Sequence, residues 1–181
     1  MLEGKNVNLR VLEKEDVDYL FECINDIDIW GEYMAVDEQI SKSELIKGFD
    51  NPSNWEISCE IKRFIIQKKD GTRIGIIWHL VNQPSRVIEI GYVIAPSERG
   101  RGYGTEAVQL MVDYLFLSMD VSRVQATTSI KNKGSQGVME KAGLTREGTI
   151  RRTARGARRD YYLYSILREE WKEPKTLTKT I

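Results

Sequence analysis

The stretch from Val87 to Met119 constrains this chain more than any other; it reads VIEIGYVIAPSERGRGYGTEAVQLMVDYLFLSM. The β-branched and aromatic residues Val87, Ile88, Ile90, Tyr92, Val93 and Ile94 predict a strand that stops at Pro96. Ala107, Leu110, Met111, Tyr114 and Leu115 then recur at the i, i+3, i+4, i+7, i+8 spacing of an amphipathic helix. Between strand and helix lies Arg99-Gly100-Arg101-Gly102-Tyr103-Gly104-Thr105. Glycines let backbone N–H groups approach a ligand closely, and a helix N-terminus adds partial positive charge. Such an element is built to hold an anion, a phosphate above all.

Two common phosphate loops fit poorly. A P-loop ends in Gly-Lys-Ser/Thr, whereas Gly104-Thr105 has no lysine. Gly102, Gly104 and Ala107 nominally meet a dinucleotide fingerprint, but the acidic residue expected roughly 20 positions on is replaced by Val124-Gln125-Ala126-Thr127-Thr128. That fingerprint also opens a βαβ domain, whereas about 100 residues precede it here.

The 181 residues suffice for one domain, 1–181, with a sizeable core and a polar tail over about 172–181. The 27 basic and 27 acidic residues balance, so no global field draws the chain to nucleic acid or membrane. Cys23 and Cys59 show no metal or redox spacing, which predicts reduced thiols and no metal centre. With neither a hydrophobic leader nor an 18-residue apolar run, a cytoplasmic location is expected.

Asn6–Leu12 alternates as a half-buried strand, and Glu13–Asn25 carries Val17, Leu20, Phe21 and Ile24 at helical spacing. A second helix is expected from Ser41 or Ser43, then strands over Glu60–Lys68, Thr72–Val81 and Arg86–Ile94, the first two joined by the Asp70-Gly71 hairpin signal. After the central helix come a strand (Arg123–Ile130), a short helix (Asn132–Ala142) closed by Gly143, and a strand pair over Thr149–Arg155 and Tyr161–Leu167. The order β-α-α-β-β-β-α-β-α-β-β predicts an α+β fold with a mixed, mostly antiparallel sheet flanked by helices.

A second motif, Asn132-Lys133-Gly134-Ser135 through Glu140-Lys141-Ala142-Gly143-Leu144 to Glu147-Gly148, joins the first. Together they resemble the GNAT superfamily of N-acetyltransferases. Arg99, Gly102 and Gly104 match its Gln/Arg-x-x-Gly-x-Gly/Ala pyrophosphate loop, and the later stretch matches its Asn-x-x-Ser/Ala helix, with Leu144 in place of the usual Phe. The opening Leu2–Arg10 and closing Arg159–Trp171 are similar to the RimJ/RimL-type branch, named for enzymes that acetylate N-termini of ribosomal proteins.

The resemblance implies transfer of acetyl from acetyl-CoA, the donor substrate, to a primary amine within a ternary complex. The acceptor it points to is a protein or peptide N-terminus; small amines such as a polyamine, amino acid or aminoglycoside, or a non-catalytic acetyl-CoA-sensing module, are the alternatives. Family contacts carried onto this chain fall on Tyr92, Val93 and Ile94 for the pantetheine arm. They fall on Arg99, Gly100, Arg101, Gly102, Tyr103, Gly104 and Thr105 for the pyrophosphate, with Asn132 and Ser135 near the thioester. Glu89 occupies the position of a general base, or is a solvated strand residue with a bound water as the base. Met139 stands where many relatives place a tyrosine acid and cannot donate a proton, leaving Ser135 or a water to protonate the thiolate. Asn132 also suits a helix N-cap. Asp26, Asp28, Trp30, Glu32 and Tyr33 would receive a cationic amine by charge and cation–π attraction, or form an exposed loop. Arg151, Arg152, Arg155, Arg158 and Arg159 make a solvated hairpin, or a contact for RNA, a ribosomal surface or another acidic partner. The protein is expected as a monomer or homodimer.

Overall fold

The computed structural model describes residues 1–26, 40–50, 61–82, 87–151, 160–175 and 179–180. A short strand β1 (Leu2–Glu3) turns into β2 (Val7–Val11), followed by α1 (Val17–Asn25) and α2 (Lys42–Asp50). Three strands come next: β3 (Ile61–Lys68), β4 (Arg73–Asn82) and β5 (Val87–Ile94). The remainder is α3 (Tyr103–Ser118), β6 (Arg123–Ser129), α4 (Lys133–Ala142), β7 (Thr145–Ile150), β8 (Tyr161–Leu167) and β9 (Lys179–Thr180). The strands form one sheet in the order β7-β8-β6-β5-β4-β3-β2-β1-β9. Every pair is antiparallel except β5 with β6. This is the α+β, mostly antiparallel architecture that the element order predicts.

Period-2 alternation sorts the side chains to two faces. Leu9, Phe64, Ile77, Ile88, Ile90, Val124 and Tyr164 meet α3 and α4 in one core. Ile65, Ile76 and Val93 meet Val17, Leu20 and Cys23 of α1 and Leu45 of α2 in the other. The Asp70-Gly71 turn closes β3 onto β4, with Gly71 N–H donating to the Lys68 carbonyl at 2.9 Å. α4 ends on Gly143 at φ 102°, a left-handed cap suited to glycine. The chain passes from that cap through buried Leu144 directly into β7. The strand expected over Thr149–Arg155 therefore runs Thr145–Ile150, because the cap sets its start.

α3 is the hub. Two of its carboxylates are buried, Glu106 (8% exposed) and Asp113 (1%), and each holds one end of the chain. Glu106 accepts from the Asn6 N–H (2.7 Å), the Asn6 side-chain amide (2.8 Å) and the Val7 N–H (3.2 Å). Asp113 accepts from Trp171 Nε1 (2.8 Å) and the Lys175 N–H (2.9 Å). Buried carboxylates need such donors, since an unpaired buried charge is costly. The polar C-terminal stretch is thus fastened twice, at Asp113 and by pairing of β9 with β1. Among the described residues no helix is long and apolar enough to cross a membrane.

His79 of β4 lies 5% exposed between the rings of Phe64 (6.4 Å) and Tyr114 (6.2 Å). Neither ring nitrogen has a hydrogen-bond partner among the described residues. Burial, assisted by the charge of Lys62, pushes its pKa down to about 4. The folded state therefore keeps His79 neutral where the unfolded chain, with an ordinary value near ~6.5, binds a proton. Stability due to this site is complete above pH ~6.5 and falls as pH drops toward about 4. We predict that urea titrations from pH 7 to pH 4.5 show His79→Leu losing roughly 2 kcal/mol less stability than the parent.

Candidate active site

β5 and β6 run parallel, but only Ile88 with Val124 and Glu89 with Gln125 are paired. Beyond that point β5 keeps its partner β4 as far as Ile94, and β6 keeps β8 as far as Ser129. The two strands therefore part like a fork, and Glu89 sits at the crotch. The Ala95 N–H donates to the Ile74 carbonyl at 2.9 Å. Because hydrogen bonding alternates along an antiparallel ladder, the N–H and C=O of Tyr92 and Ile94 turn away from β4, toward the gap. An amide-bearing chain lying in the gap would find strand-like partners there.

At the open end of β5 the loop Arg99–Gly102 leads into α3. Gly102 is the N-cap at φ 87°, a left-handed conformation that an L side chain adopts only with strain. The first-turn N–H groups have no intrahelical acceptor, and the helix dipole adds to their charge. Every residue assigned to the coenzyme except Arg101 lines one cavity of about 790 Å³. Arg101 is exposed and lies 3.7 Å from Glu98. Arg99 donates through Nε to the Ile94 carbonyl at 3.0 Å, bracing the loop against β5.

The sequence did not single out Lys5, Glu98, Gln109, Gly137, Val138, Lys141 and Lys175, which also line the cavity. For four of these the signal was helical spacing: Gln109 lies one turn beyond Thr105, and Gly137, Val138 and Lys141 follow Gly134 at i+3, i+4 and i+7. Four basic side chains (Lys5, Arg99, Lys141, Lys175) face two acidic ones. Of the acids, Glu98 is paired with Lys68 at 3.3 Å and Glu106 is held by Asn6. The lining thus suits a phosphate-bearing, amide-bearing ligand such as coenzyme A.

α4 brings the second motif to the cavity. The Asn132 side chain accepts from the Ser135 N–H at 3.0 Å, so it is the N-cap, and it also lines the cavity. The Tyr92 hydroxyl lies 2.9 Å from Ser135 Oγ and donates to the Ser135 carbonyl at 3.4 Å. Burial pushes the Tyr92 phenol up to about 12, partly offset by the Ser135 hydrogen bond. The sequence placed Tyr92 here through its backbone; the placement of its hydroxyl emerges from strand alternation, which puts Tyr92 with Ile90 on the α4 face. Met139 is core, 2% exposed.

Glu89 does not line this cavity. It faces the α1/α2 side of the sheet, accepting from Thr127 Oγ1 and Gln125 Nε2, both at 3.3 Å. On that side Asp26 caps the end of α1 and is exposed, while Asp28, Trp30, Glu32 and Tyr33 lie outside the described residues. The Asn25 amide bonds both the N–H and C=O of Ile40 at 3.1 Å, so residues 26 and 40 are held near each other. Arg151 is exposed after β7; Arg152, Arg155, Arg158 and Arg159 lie outside the described residues. Cys23 is buried, which pushes its thiol up to about 11. Cys59 lies outside the described residues.

The two loop glycines predict different defects. A Cβ on Gly104 would point into the wall, 3.5 Å from Val138 and 3.6 Å from Ile94, whereas one on Gly102 meets no atom but inherits φ 87°. Gly102→Ala should weaken acetyl-CoA binding about 10-fold by straining the N-cap. Gly104→Val should weaken it further by narrowing the channel beside Tyr92. Calorimetric titration of folded variants checks both; parental affinity in both would remove the loop from the binding site.

The geometry finds its counterpart in known proteins. A protein named "Putative ribosomal N-acetyltransferase YdaF", from Bacillus subtilis, is 28% identical over 95% of this chain and 97% of its own length. Spermidine N(1)-acetyltransferase of Escherichia coli is 24% identical over 83% of this chain and 78% of its own. The crystal structure of a GNAT-family acetyltransferase from Bacillus anthracis superposes with a TM-score of 0.74, at 26% identity, over 93% of this chain and 98% of that one. Residues 6–145, which run from the strand fastened by Glu106 to the start of β7, match the acetyltransferase (GNAT) domain. The chain therefore belongs to the GNAT family and is an N-acetyltransferase, an enzyme type that draws its acetyl group from acetyl-CoA.

Proposed function

We propose that the enzyme acetylates the α-amine of a protein or peptide N-terminus by direct transfer, with Glu89 as base and the Tyr92–Ser135 hydroxyl pair as acid. The observation that carries this reading is their placement: Glu89 stands on one face of the sheet where β5 and β6 part, and Tyr92–Ser135 stands on the other. An amine arriving from the α1/α2 side and a thioester threaded from the α3/α4 side would meet in the fork.

Acetyl-CoA, when bound, supplies an acyl group already activated as a thioester. The first-turn N–H groups of α3 and the loop hold the pyrophosphate, and the gap-facing edge of Tyr92 to Ile94 pairs with the pantetheine amides. Glu89 takes a proton from the acceptor ammonium and releases it to solvent. The neutral nitrogen then bonds to the carbonyl carbon, and the C–S bond breaks with its electrons on sulfur. Tyr92, which burial keeps protonated through the neutral range, gives its proton to that sulfur. The proton shed by the new amide nitrogen restores Tyr92 through solvent and Ser135. A phenol is the better acid of the pair, so Ser135 serves as its partner. The buried Cys23 thiol is too poor a nucleophile for an acyl-enzyme route.

An α-amine with a pKa of ~7.7–8.0 yields its proton far more readily than a lysine near ~10.4. A second reading, a small amine, is favoured by the similarity to spermidine N(1)-acetyltransferase. The face around Glu89 carries Arg63 and Arg123 beside Glu147, charges of both signs that suit a single amine better than a polycation. The arginine-rich stretch that begins at Arg151 offers positive charge to a ribosomal or other acidic partner.

Thiol release across peptides with free N-termini, amino acids, aminoglycosides, spermidine and spermine tests the acceptor. Peptides should show kcat/KM at least about 10-fold above spermidine; the reverse order would assign the site to a polyamine. Glu89→Gln should lower the rate by about 10²–10⁴ at neutral pH, with the deficit shrinking at high pH where the amine is already neutral. Tyr92→Phe should cause a loss that alkali does not repair. An equal loss at every pH for Glu89→Gln would reduce Glu89 to a binding residue.

A further inference from the structure

Glu89, Gln125 and Ser165 form a single cross-strand row through β5, β6 and β8. A chain of hydrogen bonds follows that row. Gln125 donates through Nε2 to Glu89 and accepts through Oε1 from Arg123 Nε at 3.2 Å. Arg123 grips Glu147 with both terminal nitrogens, at 2.5 and 2.8 Å, and Ser165 donates to Glu147 at 2.5 Å. Thr127 Oγ1 holds the other oxygen of Glu89.

We propose that Gln125, locked in one amide orientation by the Arg123–Glu147 pair, is a positioning residue that aims the Glu89 carboxylate into the fork; this rests on the reading of Glu89 as base. An amide flanked by a guanidinium and a carboxylate satisfies both in one orientation only, carbonyl to the cation and NH₂ to the anion. The far end of the chain does not change charge over the working range. Arg123 and Ser165 hold the Glu147 carboxyl at about 2, and Glu147 raises Arg123 above its ordinary value. Gln125 and Thr127 each donate to a different oxygen of Glu89, which fixes the plane of the carboxylate.

The test is steady-state kinetics of folded Gln125 variants of the full chain with acetyl-CoA and an N-terminal peptide, beside Glu89→Gln. Gln125→Met should lower kcat about 10-fold while KM for acetyl-CoA stays put. Gln125→Glu is isosteric but cannot donate to Glu89 when ionised; it should lower kcat at least as far, and it keeps the test alive if Gln125→Met fails to fold. Arg123→Lys keeps the charge but not the bidentate grip on Glu147, and should lower kcat less. Added to Glu89→Gln, Gln125→Met should cause no further loss, because no carboxylate is left to aim. Unchanged kcat in the folded Gln125 variants, or an equal loss in the Glu89→Gln background, would overturn the proposal. Full activity in Glu89→Gln alone would instead overturn the assignment of Glu89 as base.

Discussion

Two neighbouring parallel strands that pair for two residues and then separate are the feature on which the rest of this structure depends. Each strand stays straight because its outer neighbour holds it: β4 holds β5, and β8 holds β6. The gap therefore needs no loop or helix to prop it open. Its edges are backbone amides aligned for extended pairing, and a ligand with amides of its own would supply what the missing ladder does not.

The fork is useful only because α3 begins at its open end. A helix start there aims several N–H groups at one point, and Gly102 permits the sharp turn from loop to helix. α3 is in turn fixed by more than apolar packing. Its two buried carboxylates bind the segments at both ends of the chain, so the helix cannot shift without breaking several charge-assisted hydrogen bonds. The start of α3 is thus held both by Glu106 in its first turn and by Asp113 about two turns on.

The sheet also divides the chemistry. On the α3/α4 side lie the glycine loop, its cavity and the Tyr92–Ser135 pair; on the α1/α2 side lies Glu89 in its polar row. The proposed reaction removes a proton from one partner and gives one to another, and it is served by keeping Glu89 and Tyr92 apart. Two groups on opposite faces of one sheet are kept from neutralising each other by the strands between them.

Much of this was legible in the sequence. Periodicity located the strand, helix and hairpin elements, the glycine spacing marked the turn that opens α3, and Asn132 three residues before Ser135 announced a cap. These are local features, fixed by backbone geometry over a few residues. The start of β7 was misjudged because a left-handed cap and one buried leucine, not strand propensity, decide where that strand begins. The meeting of Tyr92 with Ser135 across 43 residues, and of Glu89 with Gln125 across 36, had no local signature. Alternation along β5 determines that Glu89 and Tyr92 face opposite ways. Which residues they meet is decided by the tertiary structure: the register of β6 against β5 brings Gln125 to Glu89, and the seating of α4 beside β5 brings Ser135 to Tyr92.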